Sequence, residues 1–249
     1  MILIGIDLSL TSPGIACFNT NTHKWHMYAF LQHKQKHRLF KHEAITLWPQ
    51  IPGPEVVDNL RFEHIITHII AMIQMLKSES SVSVCLEDYA YDTNSGNDFK
   101  IYELAGILKY HLYTKCGITS VPKIAIGRWK KLSCDYGHAT KSDVVTFMCT
   151  HGPKLDFLTL LDQKVGADDK IPSPTQDLCD SAGIVLALLY LIEHPAEKLN
   201  PAKKKNKKSK KDKKTEKDIV AKPEKLKPCK KKPKKIECTD FDYSVLFDQ

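Results

Sequence analysis

Three apolar runs in this chain each meet an acid at one end. Residues 2–7 read Ile-Leu-Ile-Gly-Ile-Asp, an almost unbroken apolar run of the kind that forms a strand buried on both faces, and it stops at Asp7. Val82-Ser83-Val84-Cys85-Leu86 is a second such strand and stops at Glu87. The third element opens with Gln176-Asp177-Leu178-Cys179-Asp180 and continues as a helix through Ile184, Leu188 and Ile192 to a stop near Pro195. An acid at the end of a buried strand carries a desolvation cost unless something positive lies against it. Two strand ends and a helical pair of acids therefore point to one shared cation.

The pattern between these runs supplies the remaining elements. Ser9-Leu10-Thr11-Ser12-Pro13-Gly14 is a turn, followed by a strand Ile15–Asn19, a second turn at Asn21-Thr22 and a third strand from Lys24 to Leu31. Connections this short predict an antiparallel meander. Residues 32–57 read as a loop. Asp58 is read as the cap of a helix over 59–77 with the stripe Phe62, Ile65, Ile66, Ile69, Ile73, Leu76. Helices near 98–115, 128–133 and 140–150 are predicted, with a strand over 118–126 that Pro122 makes irregular or peripheral. Residues 152–174 read as a loop. Ser173-Pro174-Thr175-Gln176 reads as a cap, a first-turn proline and a capping glutamine for the last helix. The expected class is α/β: a mixed five-stranded sheet, its first three strands antiparallel and the others parallel, with helices on its faces.

Charge divides the chain. Residues 196–249 contain 19 lysines and 9 acids, whereas the other 195 residues contain 18 basic and 20 acidic side chains. The segment is read as a disordered basic tail outside a folded domain of residues 1–195, because it has too little apolar surface to offset the entropy of ordering. Lys203, Lys204 and Lys205 open its longest basic run. A phosphate-binding arm and a nuclear import signal are both compatible with it, and composition does not separate them. The acidic-aromatic end, Thr239 to Asp248, reads as a docking peptide for a protein partner or as a plain terminus. Eight scattered cysteines without a C-x-x-C pair imply reduced thiols and an intracellular setting, with the nucleus open through the tail. No signal peptide and no continuous apolar run of about 18 residues is found, so no membrane association is expected. His64 and His68, spaced i, i+4 among Phe62, Ile65 and Ile69, read as helix-boundary histidines rather than zinc ligands.

The acids favour a particular chemistry. Phosphodiester hydrolysis needs an activated water and stabilisation of a leaving alkoxide, which two Mg2+ ions about 3.5–4 Å apart can supply. Mg2+ prefers hard oxygen ligands, and carboxylates meet that need where histidine or thiolate would select softer metals. Asp177 and Asp180, three residues apart on a helix, project to nearly the same side. Glu87 is preferred over Asp88 as the working acid because it directly continues its strand.

With these residues in view, the chain resembles the RuvC-type Holliday junction resolvases of the ribonuclease H-like superfamily. Gly5-Ile6-Asp7-Leu8-Ser9-Leu10-Thr11-Ser12-Pro13-Gly14-Ile15-Ala16 is similar to the first-strand motif, Leu86-Glu87 to the second acidic motif, and Asp177-x-x-Asp180-Ser181-Ala182-Gly183-Ile184 to the closing helix. The segment from Asn94 to Leu108 resembles the loop and long helix that follow the second motif. The likeness spans about residues 1–195, while 32–57 and 152–174 depart from the family pattern. The polylysine and the many cysteines point to a eukaryotic, viral or phage-like member. The resemblance implies Asp7, Glu87, Asp177 and Asp180 as ligands of two Mg2+ ions, with Mn2+ as a substitute. It implies Lys123 and Lys141 as lysines near the scissile phosphate, and Tyr89 or Tyr91 as the aromatic that stacks on junction bases. It further implies branched DNA as the substrate and cuts in symmetrically related strands, and a homodimer is expected because such paired cuts are simplest with two identical sites.

Two other functions are compatible with parts of this pattern. One is a branched-DNA-binding protein whose acid cluster no longer cleaves. The other is an actin- or sugar-kinase-like ATPase, whose first strand also carries Gly-x-Asp. The latter needs further glycine-rich phosphate loops and a second half-domain, and only 11 glycines occur, with no glycine-rich cluster in the carboxy-terminal half.

Overall fold

The apolar run at residues 2–7 becomes the hub of the sheet. The computed structural model describes residues 1–31, 41–88, 97–166 and 170–196, apart from the side chains of Lys41, Asn97 and Asp98. In chain order the elements are β1 (Ile2–Asp7), β2 (Gly14–Asn19), β3 (Lys24–Phe30), β4 (Lys41–His42), β5 (Ile45–Trp48), α1 (Asp58–Glu79), β6 (Val82–Asp88), α2 (Asn97–Cys116), β7 (Lys123–Ala125), α3 (Ile126–Cys134), α4 (Lys141–Thr150), α5 (Phe157–Leu160) and α6 (Thr175–Glu193). The seven strands lie in the order β4-β5-β3-β2-β1-β6-β7. β1, β2 and β3 form the antiparallel meander, and β6 and β7 add parallel to it beyond β1. This is the predicted mixed α/β sheet with two more strands than expected. The additions, β4 and β5, come from the segment read as a loop, and β5 pairs parallel with β3. The chain divides into units Met1–Pro201 and Ala202–Gln249, and all of the second lies outside the described residues.

Strand alternation sorts the core into two layers. Ile2, Ile4 and Ile6 face Ile65, Ile69, Leu104 and Leu108 of α1 and α2. Leu3 and Cys85 face the other side, with Trp129 of α3, Met148 of α4 and Leu178, Ala182 and Val185 of α6. Burying each large side chain contributes roughly 1.5–3 kcal/mol. β1 needs a glycine because α6 passes close: a Cβ on Gly5 would stand 2.4 Å from the Ser181 carbonyl oxygen.

α6 has the length and composition of a membrane-crossing helix, yet 61% of its most apolar stretch is buried inside the protein. Its apolarity comes from being enclosed by the sheet, α3 and α4, as a helix buried nearly all round requires.

Several local expectations give way to tertiary contacts. Asp58 is the first residue of α1 rather than its cap, and its carboxylate instead pairs with Lys100 at 2.8 Å and Arg61 at 3.2 Å. Val57 takes the cap position with no side-chain bond. At α6, Pro174 is the cap and the expected capping box is absent. The Thr175 hydroxyl donates to Gln163 at 2.6 Å, which ties the preceding loop to the helix. The strand predicted over 118–126 shortens to β7, after Pro122, and α5 lies in a segment read as loop. His68 bonds the His64 carbonyl at 2.8 Å and both rings pack on Phe30, as boundary histidines do.

Candidate active site

Sheet register sets the first two acids side by side. Ile6 pairs with Leu86 in the parallel β1–β6 ladder, so Asp7 and Glu87 follow one residue later at the same end. Alternation directs both to the α6 face, with Leu3 and Cys85. Asp88 points to the opposite face, where Lys123 approaches it at 3.8 Å. Of the two adjacent acids, Glu87 is the one the pleat turns to the face shared with Asp7.

The helical pair arrives through a second close approach. Gly14 is the register partner of Asp7 on β2, and a Cβ there would stand 2.1 Å from the Asp177 carbonyl oxygen. The first turn of α6 thus rests directly on the end of the β1–β2 hairpin. We expect Gly14→Ala to cost about 1–3 kcal/mol, the usual penalty for forcing bulk into a packed contact, in urea denaturation. Unchanged stability would show that this approach is not required.

The electrostatics record the convergence. Asp7 is held well above the ordinary carboxylate range, first by burial and then by the charges of Glu87, Asp180 and Asp177, against a partial offset from Lys141. Burial, then Asp180, push Glu87 up to about 7, while the Trp129 indole and Lys130 act the other way. Burial raises Asp180 to about 6, opposed by its bond from Gln176 and by Lys130. Asp177 is also raised by burial, against bonds from Ser12 and Ser173. Glu87 and Asp177 are each 9% exposed, whereas Asp7 and Asp180 keep a partly open surface. Four acids from three distant segments share one end of the sheet.

No known family profile and no curated protein matches this sequence. Among solved structures, the chain is similar to Thermus thermophilus RuvC, at 17% identity and a TM-score of 0.49, over 78% of this chain and 97% of that one. It is also similar to T. thermophilus RuvC in complex with a Holliday junction substrate, at 16% identity and a TM-score of 0.48, over 78% and 96% of the two chains. The yeast mitochondrial Holliday junction resolvase Ydc2 aligns at 12% identity and a TM-score of 0.32, over 76% and 77%.

The donor chemistry of the cluster fits a hard divalent cation: all four groups are carboxylates, and their mutual repulsion is the kind a cation relieves. Among the described residues, however, no three His, Cys, Asp or Glu side chains stand closed around a point that would hold a metal ion. Three of the acids each turn an oxygen to a protein donor instead. The Trp129 indole donates to Glu87 at 3.0 Å, the Ser12 hydroxyl to Asp177 at 2.6 Å, and the Gln176 amide to Asp180 at 3.3 Å.

The lysines separate by face. Lys141, the first residue of α4, reaches the cluster: its ammonium donates to Gln176 at 2.7 Å and its charge acts on Asp7, Asp177 and Asp180. Lys123 lies on the opposite face of the sheet, beside Asp88 and 5.5 Å from the centre of the Tyr102 ring. The structure does not bring it to the acids. Tyr89, Tyr91, Lys203, Lys204 and Lys205 lie outside the described residues.

Four neighbours of the acids escape a reading of sequence alone: Ser12, Trp129, Lys130 and Gln176. Ser12 lies in a turn whose local pattern carries no sign of a distant acid, and the local pattern at Gln176 is that of a capping residue. Trp129 and Lys130 are adjacent on α3, yet the Trp129 ring is fully buried against α6 and the Lys130 ammonium donates to the Ala139 carbonyl at 2.8 Å. A Cβ on Gly183 would meet that ring at 2.5 Å, so the glycine on α6 makes room for the indole that orients Glu87.

Proposed function

We propose that this protein is a divalent-metal-dependent endonuclease that cuts four-way or otherwise branched DNA. The observation that carries the reading is that sheet register and the close approach of α6 to Gly14 bring Asp7, Glu87, Asp177 and Asp180 to one end of the sheet. The sequence resemblance of the same four positions to the resolvase motifs supports it. Bound Mg2+, with Mn2+ as a substitute, would supply an activated water and stabilise the leaving alkoxide. Asp7, Glu87, Asp177 and Asp180 would hold the ions. The indole of Trp129 fixes the orientation of Glu87. Lys141 places a positive charge beside the acids, suited to a phosphate oxygen drawn to the cluster. The lysine-rich tail is suited to sequence-independent phosphate binding or to nuclear import.

The test is incubation of the full chain with a labelled four-way junction or a matched linear duplex, in Mg2+ or in chelator. Cleavage of the junction in Mg2+ alone is the expected outcome. Absence of cleavage with every divalent ion, with junction binding retained, would replace this reading by a non-cleaving branched-DNA binder.

Paired cuts on a two-fold junction call for two identical sites, and α2 offers a surface for a second copy. Phe99, Tyr110 and Tyr113 are 80%, 64% and 61% exposed along it, and a Cβ on Gly106 between them would meet nothing within 4 Å. Aromatics repeated at helical spacing beside an open glycine suit a helix-on-helix contact. Light scattering of the full chain is expected to give a dimer, and the double variant Tyr110→Glu, Tyr113→Glu a monomer. A wild-type monomer with and without junction would overturn the dimer.

A further inference from the structure

The turn between β1 and β2 reaches into the acid cluster through one side chain. Ser12 is 3% exposed and donates its hydroxyl to Oδ2 of Asp177 at 2.6 Å, across 165 residues of sequence. Independent contacts hold the turn that carries it. The Ser9 hydroxyl accepts from the amides of Thr11 and Ser12, each at 3.3 Å. Arg61, 6% exposed, donates to the Leu10 carbonyl at 2.9 Å. The same guanidinium is anchored to the Pro52 carbonyl at 3.1 Å and to Asp58 at 3.2 Å. Gly14 lets the Asp177 backbone rest against the hairpin. Asp177 is thus pinned at Oδ2 by a hydroxyl that sits on a rigid mount.

Such pinning limits how the carboxylate can meet a cation. Ca2+ takes six to eight oxygens and commonly uses both oxygens of one carboxylate, whereas Mg2+ takes six ligands in a strict octahedron and keeps several waters. We infer that Ser12 is a positioning residue that biases this cluster toward Mg2+ and against Ca2+, by occupying one lone pair of Asp177 Oδ2 and fixing the rotation of the carboxylate, which disfavours binding one ion through both oxygens. The inference rests on the acid cluster being a divalent-cation site. Partners that orient ligating groups typically change metal affinity by 10–100-fold.

The experiment follows melting of the full chain against Mg2+ alone and Ca2+ alone, without DNA, and obtains the ratio of the two affinities from the stabilisation each ion produces. Wild type is expected to favour Mg2+. In Ser12→Ala the ratio is expected to move about tenfold toward Ca2+. Ser12→Thr, which keeps the hydroxyl, is expected to restore the wild-type ratio, an outcome that general loosening of the turn would not produce. Ser12→Gly repeats the comparison should the alanine variant not fold. An unchanged ratio in the variants lacking the hydroxyl, with both ions still binding, overturns the role of Ser12 and leaves the cation site standing. Absence of stabilisation of wild type by either ion overturns the cation site itself, and the role of Ser12 with it.

Discussion

Asp7→Asn is expected to abolish cleavage of branched DNA and, in chelator, to melt at a higher temperature than wild type. The two effects share one cause. Asp7 ends β1, and its charge is disfavoured first by burial and then by Glu87, Asp180 and Asp177. Asparagine keeps the shape and removes that charge, so the repulsion disappears and the metal-free fold gains. The same change removes the acid that faces the other three, and the loss of activity should exceed roughly 100-fold, the upper range for residues that merely support a metal ligand. Junction binding should remain measurable, because duplex affinity comes mainly from cationic contacts to phosphates. Gel assays of cutting and binding, paired with melting curves in chelator, check all three points. Robust cleavage by Asp7→Asn would remove Asp7 from the site, and a lower melting temperature would contradict the electrostatic account of the cluster.

The second large effect is a dependence of stability on pH that divalent metal should cancel. Glu87 stands at about 7 against an ordinary 4.5, and Asp180 at about 6 against 3.8, with Asp7 and Asp177 raised as well. A raised carboxylate binds its proton more tightly in the folded than in the unfolded chain. Its contribution is therefore fully present below about pH 4 and is lost as pH rises through 6 to 7. For Glu87 and for Asp180 taken singly the shift corresponds to about 3 kcal/mol, and because the acids interact these amounts do not add. In chelator this contribution to urea stability should fall between pH 4.5 and 7.5. Millimolar Mg2+ should restore stability at the upper end, where the deprotonated acids bind it best. Glu87→Gln should flatten the chelator profile. A profile that rises with pH between 6 and 7.5 in chelator and is unmoved by Mg2+ would contradict the arrangement.

How much of this was legible beforehand differs by residue. Asp7 and Glu87 were visible because an apolar run that ends in an acid is a local pattern, and Asp177 and Asp180 because three residues on a helix span nearly one turn. The antiparallel meander followed from connections too short for a crossover. β4 and β5 were missed because Lys41-His42 and Ile45–Trp48 are too short to show a period, and their pairing depends on β3. At the starts of α1 and α6 the local capping signals lose to longer-range partners, Lys100 and Gln163.

The order of apolar and polar residues by itself determined the class of fold, the strand ends that bear acids and the acidic character of the site, since each depends on periodicity within one segment. Tertiary structure alone decided which lysine reaches the acids, and that Ser12, Trp129 and Gln176 hold three of them. Those outcomes turn on the register between β1 and β6 and on how closely α6 rests on Gly5 and Gly14. Such contacts join positions separated by tens to well over a hundred residues, and no local pattern encodes the distance between them.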